Sequence, residues 1–308
     1  MIITVTPNTS IDRSIEVAGF AVGETLKGRL LKRRPAGKGI NVSHCLAALG
    51  ITSIAPGFVG RRERPFFAEV LAEHNVIDRL VEVDGTTRCN TTYLDPEAGT
   101  ETHIRELGFE VGALDLDKLR NTLARDVSAV DVVVISGSQP PGMSPDALAE
   151  LIQTCRAGGA RVVLDSSEPD ASTAGLAVDL LTPNLDELSR MTTLRDHAPA
   201  AVIESARSLL DRVPQVVVTL GARGAVGVFD GQAWLAEGAS GPTHHTVGCG
   251  DAFLAGYLAA EQRGEQLPDR LRLGVACGGA SARRSIAGEI AASDVEDLLS
   301  QIKLERVS

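Results

Sequence analysis

Asp131-Val132-Val133-Val134-Ile135-Ser136, Arg161-Val162-Val163-Leu164-Asp165 and Gln215-Val216-Val217-Val218-Thr219-Leu220 decide the fold. Each is a short apolar run that lacks the every-second-residue polar alternation of a half-exposed strand. Each is therefore expected to be a strand buried on both faces of a parallel sheet. Ile2–Thr6 and Val178–Thr182 join them as candidate strands. Amphipathic helical stretches lie between, at Asn41–Leu49, Pro65–His74, Leu116–Arg125, Pro145–Ala157 and Pro199–Arg212. Strands alternating with helices build βαβ units, so the expected class is α/β, a three-layer α/β/α sandwich around a mostly parallel central sheet.

Two segments break that rhythm, at about 12–35 and 86–108. Both are polar, rich in Thr and Arg, and alternate in places, as in Ser14-Ile15-Glu16-Val17. They read as antiparallel strands outside the main sheet, able to pair as a small sheet forming a lid over one end; a plain surface hairpin is the alternative. No repeat, low-complexity tract or linker divides the chain, so residues 1–308 are expected to form one domain.

Composition bounds the function. A hydrophobic share of 44% beside 23% charged residues is that of a globular chain with a sizeable core. Forty acidic against thirty basic side chains give a net charge of −10, which argues against a general nucleic-acid or anionic-membrane binder. A locally basic site for an anionic substrate stays open. Cys45, Cys89, Cys155, Cys249 and Cys277 are scattered and never in a CxxC spacing, as expected of free thiols in a reducing compartment with no zinc site. Ile2, Ile3 and Val5 enter a strand at once, with no basic or cleavage segment before them, and no apolar run approaches about 18 residues. A cytoplasmic protein is expected, neither secreted nor membrane-spanning.

The strongest chemical signal is Thr246-Val247-Gly248-Cys249-Gly250-Asp251-Ala252-Phe253, a glycine-rich turn running into the apolar helix Ala252–Ala260. A helix N-terminus presents unpaired N–H groups and partial positive charge, and glycines let an anion approach the backbone. Asp251 then stands beside an anion hole formed with Gly248, Cys249 and Gly250, the arrangement that phosphoryl transfer to an alcohol requires: a base for the hydroxyl proton and amides for the transferred group. The plainer reading makes Asp251 a helix N-cap.

A second cluster, Ala36-Gly37-Lys38-Gly39-Ile40-Asn41, precedes a helix. It reads either as a tight turn capped by Asn41 or as a surface where a sugar approaches Gly37, Lys38 and Gly39 while Asn41 bonds its hydroxyls. It is not a Walker A loop, because Gly39 follows Lys38 where Ser or Thr is needed, nor a dinucleotide fingerprint, because Val42 takes the third glycine position. A third, Thr219-Leu220-Gly221-Ala222-Arg223-Gly224, follows a strand, where ligands of open α/β sheets gather.

Together these residues resemble the PfkB (ribokinase-like) family of carbohydrate kinases over essentially the whole chain. Gly37, Gly39, Asn41, Ser43, Gly50 and Gly60 match its N-terminal pattern, and Thr246, Gly248, Gly250, Asp251 and Ala255-Gly256 its C-terminal one. His245 and Cys249 depart from the usual residues. The resemblance implies Asp251 as catalytic base, ATP and Mg²⁺ as cofactors, and a sugar as acceptor. Asn184 and Glu187 look like the family's Asn-x-x-Glu motif, Asn184 on the nucleotide side and Glu187 organising Mg²⁺ through water. Thr219, Gly221 and Gly224 look like its nucleotide-phosphate loop, while Cys277 and Ser281 fall where the family holds adenine. The branch acting on ketohexose monophosphates is most similar. There Asp12, Asn90 and Ser138 (in Ser136-Gly137-Ser138-Gln139-Pro140-Pro141-Gly142) would reach the sugar, and Arg88 with Lys27 would hold its existing phosphate. The resemblance implies transfer to fructose 1-phosphate, tagatose 6-phosphate or fructose 6-phosphate, with a homodimer through the lid. Other readings are a kinase of an unphosphorylated sugar or nucleoside, a non-catalytic sensor on the same fold, and an NAD-dependent oxidoreductase.

Overall fold

A computed structural model describes residues 1–169, 172–239, 241, 243, 246–284 and 288–307; His245 lies outside the described residues. The chain opens with β1 (Ile2–Val5), leaves the main sheet for the hairpin β2 (Ser10–Glu16) and β3 (Arg29–Ala36), and returns through α1 (Lys38–Ala48). There follow β4 (Ser53–Gly60), α2 (Arg64–Glu73), β5 (Ile77–Val83), a second excursion β6 (Arg88–Asp95) and β7 (Thr100–Arg105), then α3 (Ala113–Asp126). The pattern continues through β8 (Val132–Gly137), α4 (Pro145–Ala157), β9 (Arg161–Ser166), β10 (Leu180–Leu181), α5 (Leu185–Met191), α6 (Pro199–Arg207) and β11 (Gln215–Thr219). A meander of β12 (Gly224–Phe229) and β13 (Gln232–Glu237) precedes α7 (Cys249–Gln262), α8 (Leu267–Ala282), α9 (Ala292–Leu299) and β14 (Leu304–Val307).

Among the described residues the large sheet has ten strands in the order β14-β13-β12-β11-β10-β9-β8-β1-β4-β5. From β5 to β11 all neighbours are parallel, and β12, β13 and β14 add an antiparallel end. The apolar runs explain the burial. Val133, Ile135, Val162, Leu164, Val216 and Val218 pack in one core with α3, α4, α5 and α6. Their neighbours Val134, Val163 and Val217 join the opposite core with α1, α7, α8 and α9. Alternate side chains of the same strand thus feed two helical layers, which is why these strands show no alternation.

The topology also says where chemistry belongs. From β1 the chain first builds outward to β4 and β5, then crosses to β8 on the other side. Between the carboxyl ends of β1 and β8 successive connections diverge, opening the crevice in which such sheets take ligands.

The two polar segments do pair, in a separate four-stranded sheet ordered β3-β2-β6-β7. Its outer pairs are antiparallel, but the central pair β2–β6 is parallel, not antiparallel as expected. Both strands leave the carboxyl ends of parallel strands, β2 after β1 and β6 after β5, and so depart in the same direction.

Helix and strand boundaries shift by a few residues. The largest differences are α6, which ends at Arg207 rather than Arg212, then α1, which begins at Lys38 rather than Asn41, and α3, which begins at Ala113 rather than Leu116.

Candidate active site

The edge of β1 places the first group of residues. Helix α1 presses so close that a Cβ on Gly39 would stand 2.4 Å from Thr6 Oγ1 and 3.1 Å from the Val5 carbonyl. A Cβ on Gly37 would meet Thr6 Cγ2 at 2.7 Å. The sequence leaves this cluster as either a tight turn or a surface for a sugar. In the structure the protein itself fills the space: the glycines let α1 dock on β1, and that docking delivers Lys38 and Asn41 to the crevice. Asn41 is not a cap, because Gly37 occupies that position. Its side chain is therefore free to turn inward, where Nδ2 donates to Asp251 Oδ2 at 2.7 Å.

Helix α7 supplies Asp251. Gly248 caps this helix in the left-handed conformation (φ 77°), a geometry that costs glycine little. Asp251 therefore sits three residues inside, which removes its reading as the N-cap. Its side chain is not spent on the helix end: its hydrogen bond to a described residue is made through Oδ2, to Asn41. Ahead of it Gly250 is exposed, with no atom within 4 Å of where its Cβ would stand. Of the first-turn amides, that of Cys249 reaches back to the Thr246 carbonyl at 3.4 Å, while those of Gly250 and Asp251 have no helical carbonyl below them. Asp251 is only 5% exposed. Burial raises its pKa to about 7, and the Asp165 carboxylate pushes the same way, while Lys38, Asn41 and Arg34 hold it down.

Lys38 ties the crevice together. Its Nζ donates to Asp165 Oδ1 at 3.1 Å and lies 3.6 Å from Glu187 Oε1. Burial alone would depress its pKa, but Asp165, Glu187 and Asp251 outweigh it and hold the ammonium above its ordinary value. Asp165, at the end of β9, also accepts from Ser136 Oγ at 2.6 Å. Asn184 and Glu187 form a capping box on α5: Asn184 Oδ1 accepts from the Glu187 amide and Glu187 Oε2 from the Asn184 amide, both at 2.9 Å. Glu187 Oε1 is left toward Lys38. Burial raises the Glu187 pKa, Asp165 adds to the rise, and Lys38 opposes it.

Asn184 pairs with Thr219 through an isolated parallel bridge, so the Glu187 turn and the β11 turn are adjacent. Within that turn the two glycines differ. Gly221 has nothing within 4 Å of a notional Cβ and opens outward, whereas a Cβ on Gly224 would stand 1.9 Å from the Ala236 carbonyl. Gly224 thus serves the β12–β13 pairing and presents no surface to a nucleotide. Two further readings need correction. Cys277 is fully buried between α8 and α7, where a Cβ on Gly256 would stand 2.6 Å from its Sγ. Ser281 is equally buried. Neither side chain is placed to meet a base. Cys249 is half-buried beside Asp251, and burial lifts its thiol to about 11, so it is inert at neutral pH.

The small sheet brings a third group to the crevice. The register sets Ser10 beside Arg88 and Asp12 beside Asn90. Asp12 Oδ1 accepts from Asn90 Nδ2 at 3.2 Å. Arg88 is anchored by Nη2 donating to the Asn8 carbonyl at 2.9 Å and faces Asp12, Glu168 and Arg105. Asn8 Nδ2 in turn donates to Ser138 Oγ at 3.4 Å. Lys27 is the exception. It is exposed in the loop beyond the Glu16–Arg29 pair, six residues along β2 from the level of Arg88. At about 3.3 Å per residue that is about 20 Å, too far for both cations of one chain to hold one phosphate.

Asp165, Arg34 and Asn8 were not singled out from sequence. Asp165 had a usable signal, since it ends an apolar run at the carboxyl edge of a parallel strand. Not every recess is a site: a cavity of about 550 Å³ at the opposite edge, lined by Arg156, Asp179, Gln215 and Phe229 among others, holds none of these residues, and Arg156 is ion-paired to Asp179 at 3.1 Å.

Comparison with known proteins places the chain in a family. Residues 4–293 match the model of the pfkB family carbohydrate kinases. A 1-phosphofructokinase of Rhodobacter capsulatus is 34% identical over 281 residues, covering 89% of this chain and 88% of that one. One of Bacillus subtilis is 30% identical over 310 residues, covering both chains completely. Phosphofructokinase-2 from Escherichia coli in complex with potassium superposes with a TM-score of 0.90 at 25% identity, over 97% of this chain and 98% of that one. No described helix is long and apolar enough to cross a membrane. The chain belongs to the pfkB family of carbohydrate kinases, ATP- and Mg²⁺-dependent phosphotransferases with an alcohol as acceptor.

Proposed function

We propose that this kinase transfers the γ-phosphoryl group of ATP to the free primary hydroxyl of fructose 1-phosphate, with Asp251 as the base. The observation that carries the reading is the state of one carboxylate. Asp251 is held by Asn41 through Oδ2, not Oδ1, beside an open helix N-terminus. Oδ1 takes the hydroxyl proton as the substrate oxygen bonds to the γ-phosphorus. The bond from that phosphorus to the β,γ-bridging oxygen breaks, and ADP leaves. The α7 amides and Lys38 balance charge on the transferring group. The open turns at Gly250 and Gly221 fit a nucleotide's phosphates, and the Glu187 oxygen not used by the α5 cap is the hard donor that suits Mg²⁺ held through water. A metal ion held there would supply positive charge to offset that of the nucleotide's phosphates.

Fructose 1-phosphate is favoured because the relatives of highest identity named above are 1-phosphofructokinases, and Arg88 offers a fixed guanidinium at the sugar end. The small sheet would act as a lid that excludes water once substrate binds. Its exposed Leu30, Leu31 and Ile104 fit pairing with a second copy, which light scattering tests. The deciding assay is ADP release with fructose 1-phosphate, fructose 6-phosphate, tagatose 6-phosphate and unphosphorylated sugars. Highest kcat/KM on fructose 1-phosphate, with Arg88→Ala raising its KM at least about tenfold, supports the proposal. Turnover of a neutral sugar at an equal rate refutes the substrate, and a silent panel refutes the activity.

A further inference from the structure

Behind Asp251 lies a second row of residues from two separate elements. Arg34, near the end of β3, is 7% exposed, and its Nη2 donates to Asn41 Oδ1 at 3.1 Å. Asn41, in the first turn of α1, passes the contact on through Nδ2 to Asp251 Oδ2 at 2.7 Å. A side-chain amide is nearly symmetric in shape, and packing alone does not choose which end faces a neighbour. Arginine has only donors, so the amide end facing Arg34 must be the oxygen, and the end facing Asp251 must be the NH₂ group. Were the amide to turn over, its oxygen would face the carboxylate and the interaction would become repulsive.

The pair is also enclosed. Cys45 Sγ donates to the Gly288 carbonyl at 3.2 Å, and Gly288 sits so close that a Cβ there would stand 3.2 Å from both Arg34 Nη2 and Asn41 Cβ. Lys32 and Glu289 form an ion pair alongside. An arginine this deeply buried is costly unless its donors are used, and Nη1 has no partner among the described residues. That cost argues that the contact made by Nη2 matters.

We infer that Arg34 is a positioning residue for the reaction: it locks the Asn41 amide so that Asp251 Oδ2 is always occupied and Oδ1 alone faces the acceptor hydroxyl. The inference rests on the reading of Asp251 as base. The groups facing Asp251 are Lys38 from α1, Asp165 from β9 and Arg34 from β3, with the thiols of Cys45 and Cys249 beside it. Losing Arg34 removes a positive charge and frees the amide, and both changes disfavour the ionised carboxylate.

The test is a ¹³C NMR titration of the Asp251 carboxyl in the full-length protein, beside steady-state kinetics. In Arg34→Met the Asp251 midpoint should rise by about one pH unit and kcat fall about tenfold, with KM for ATP within about twofold. Arg34→Lys should recover part of both. In an Asn41→Ala background Arg34→Met should add little, because the arginine acts through the amide. A folded Arg34→Met with wild-type midpoint and kcat overturns the inference, as does full additivity with Asn41→Ala. If Arg34→Met does not fold, the wild-type spectrum decides: the Asn41 side-chain amide protons must shift with the Asp251 midpoint, and independence refutes the coupling. An active Asp251→Asn enzyme would instead remove the base assignment, leaving the NMR result to report on Arg34 separately.

Discussion

Asp251→Asn should inactivate the enzyme and stabilise it, and the second effect follows from the same burial as the first. The wild-type carboxyl ionises near pH 7 in the fold against an ordinary value of 3.8. Keeping it charged in the native state above pH 7 therefore costs about 4 kcal/mol, at about 1.4 kcal/mol per pH unit of displacement. The sign is fixed by proton counts. Below pH 3.8 both states hold the proton and the group is neutral in its effect. Between 3.8 and 7 the native state retains a proton that the unfolded chain has lost, so wild-type stability falls as pH rises. Above 7 the loss is complete. Asparagine carries no charge and never incurs it, yet it keeps an acceptor for Asn41 Nδ2. Lys38 in the variant still has Asp165 and Glu187.

The variant's advantage should thus grow from near zero at pH 4 to about 4 kcal/mol at pH 8. For 308 residues, with an unfolding entropy of about 2.1 cal/mol/K per residue, this corresponds to a Tm higher by about 6 °C at pH 8. Depressed carboxylates such as Asp131 and Asp126 are common to both proteins and cancel in the difference. The assay is paired thermal unfolding of wild type and variant in a pH series, with kcat measured on the same samples and expected to fall by about 10²–10⁴. A Tm difference that is flat with pH, or a variant less stable at pH 8, would show that Asp251 is not a buried, strained carboxylate. Near-normal turnover would remove it from the chemistry.

Two other substitutions separate structural from chemical roles. Gly39→Ala places a methyl 2.4 Å from Thr6 Oγ1 and 3.1 Å from the Val5 carbonyl, so α1 must lift from β1; a loss of about 1–3 kcal/mol by urea unfolding is expected, together with lower kcat because Lys38 and Asn41 move with the helix. Unchanged stability would show that the close approach is not required. Glu187→Gln keeps a capping-box side chain on α5 but removes the charge beside the phosphate turn, so thermal stability should hold within about 1 kcal/mol while the Mg²⁺ concentration for half-maximal rate rises severalfold. An unaltered Mg²⁺ dependence would confine Glu187 to the cap.

The parallel core was legible because its strands are buried on both faces and carry nothing but apolar residues over three or four positions. Strands that break this rule escaped. Strand β4 contains Pro56 and Gly57, which count against a central strand; here Gly57 is needed because a Cβ would stand 2.1 Å from the Thr6 carbonyl, where β1 is ending and the ladder is already irregular. The β12–β13 hairpin did carry a readable signal, Asp230-Gly231 between two apolar runs. Both residues have positive φ, 48° and 69°, the pattern of the turn that best fits the twist of paired strands.

The site divides along a similar line. Gly248–Asp251 and the Gly37–Asn41 turn announce themselves because a bare backbone before a helix is a local feature, written in adjacent residues. What the glycines are for was less legible, since Gly39 and Gly224 make room for other parts of the chain whereas Gly250 and Gly221 stay open. The charges that surround Asp251 are not local at all. Asp165 lies 127 residues from the Lys38 it meets, and Asn41 lies 210 residues from Asp251. These distances close only because β9 stands beside β8, β8 beside β1, and α1 lies against β1, so strand order, not motif, sets the electrostatics. A carboxylate near a glycine turn is a common thing in a sequence. Its ionisation near neutral pH arises first from burial and then from the Asp165 carboxylate that the sheet topology sets beside it, with Lys38, Asn41 and Arg34 pulling the other way.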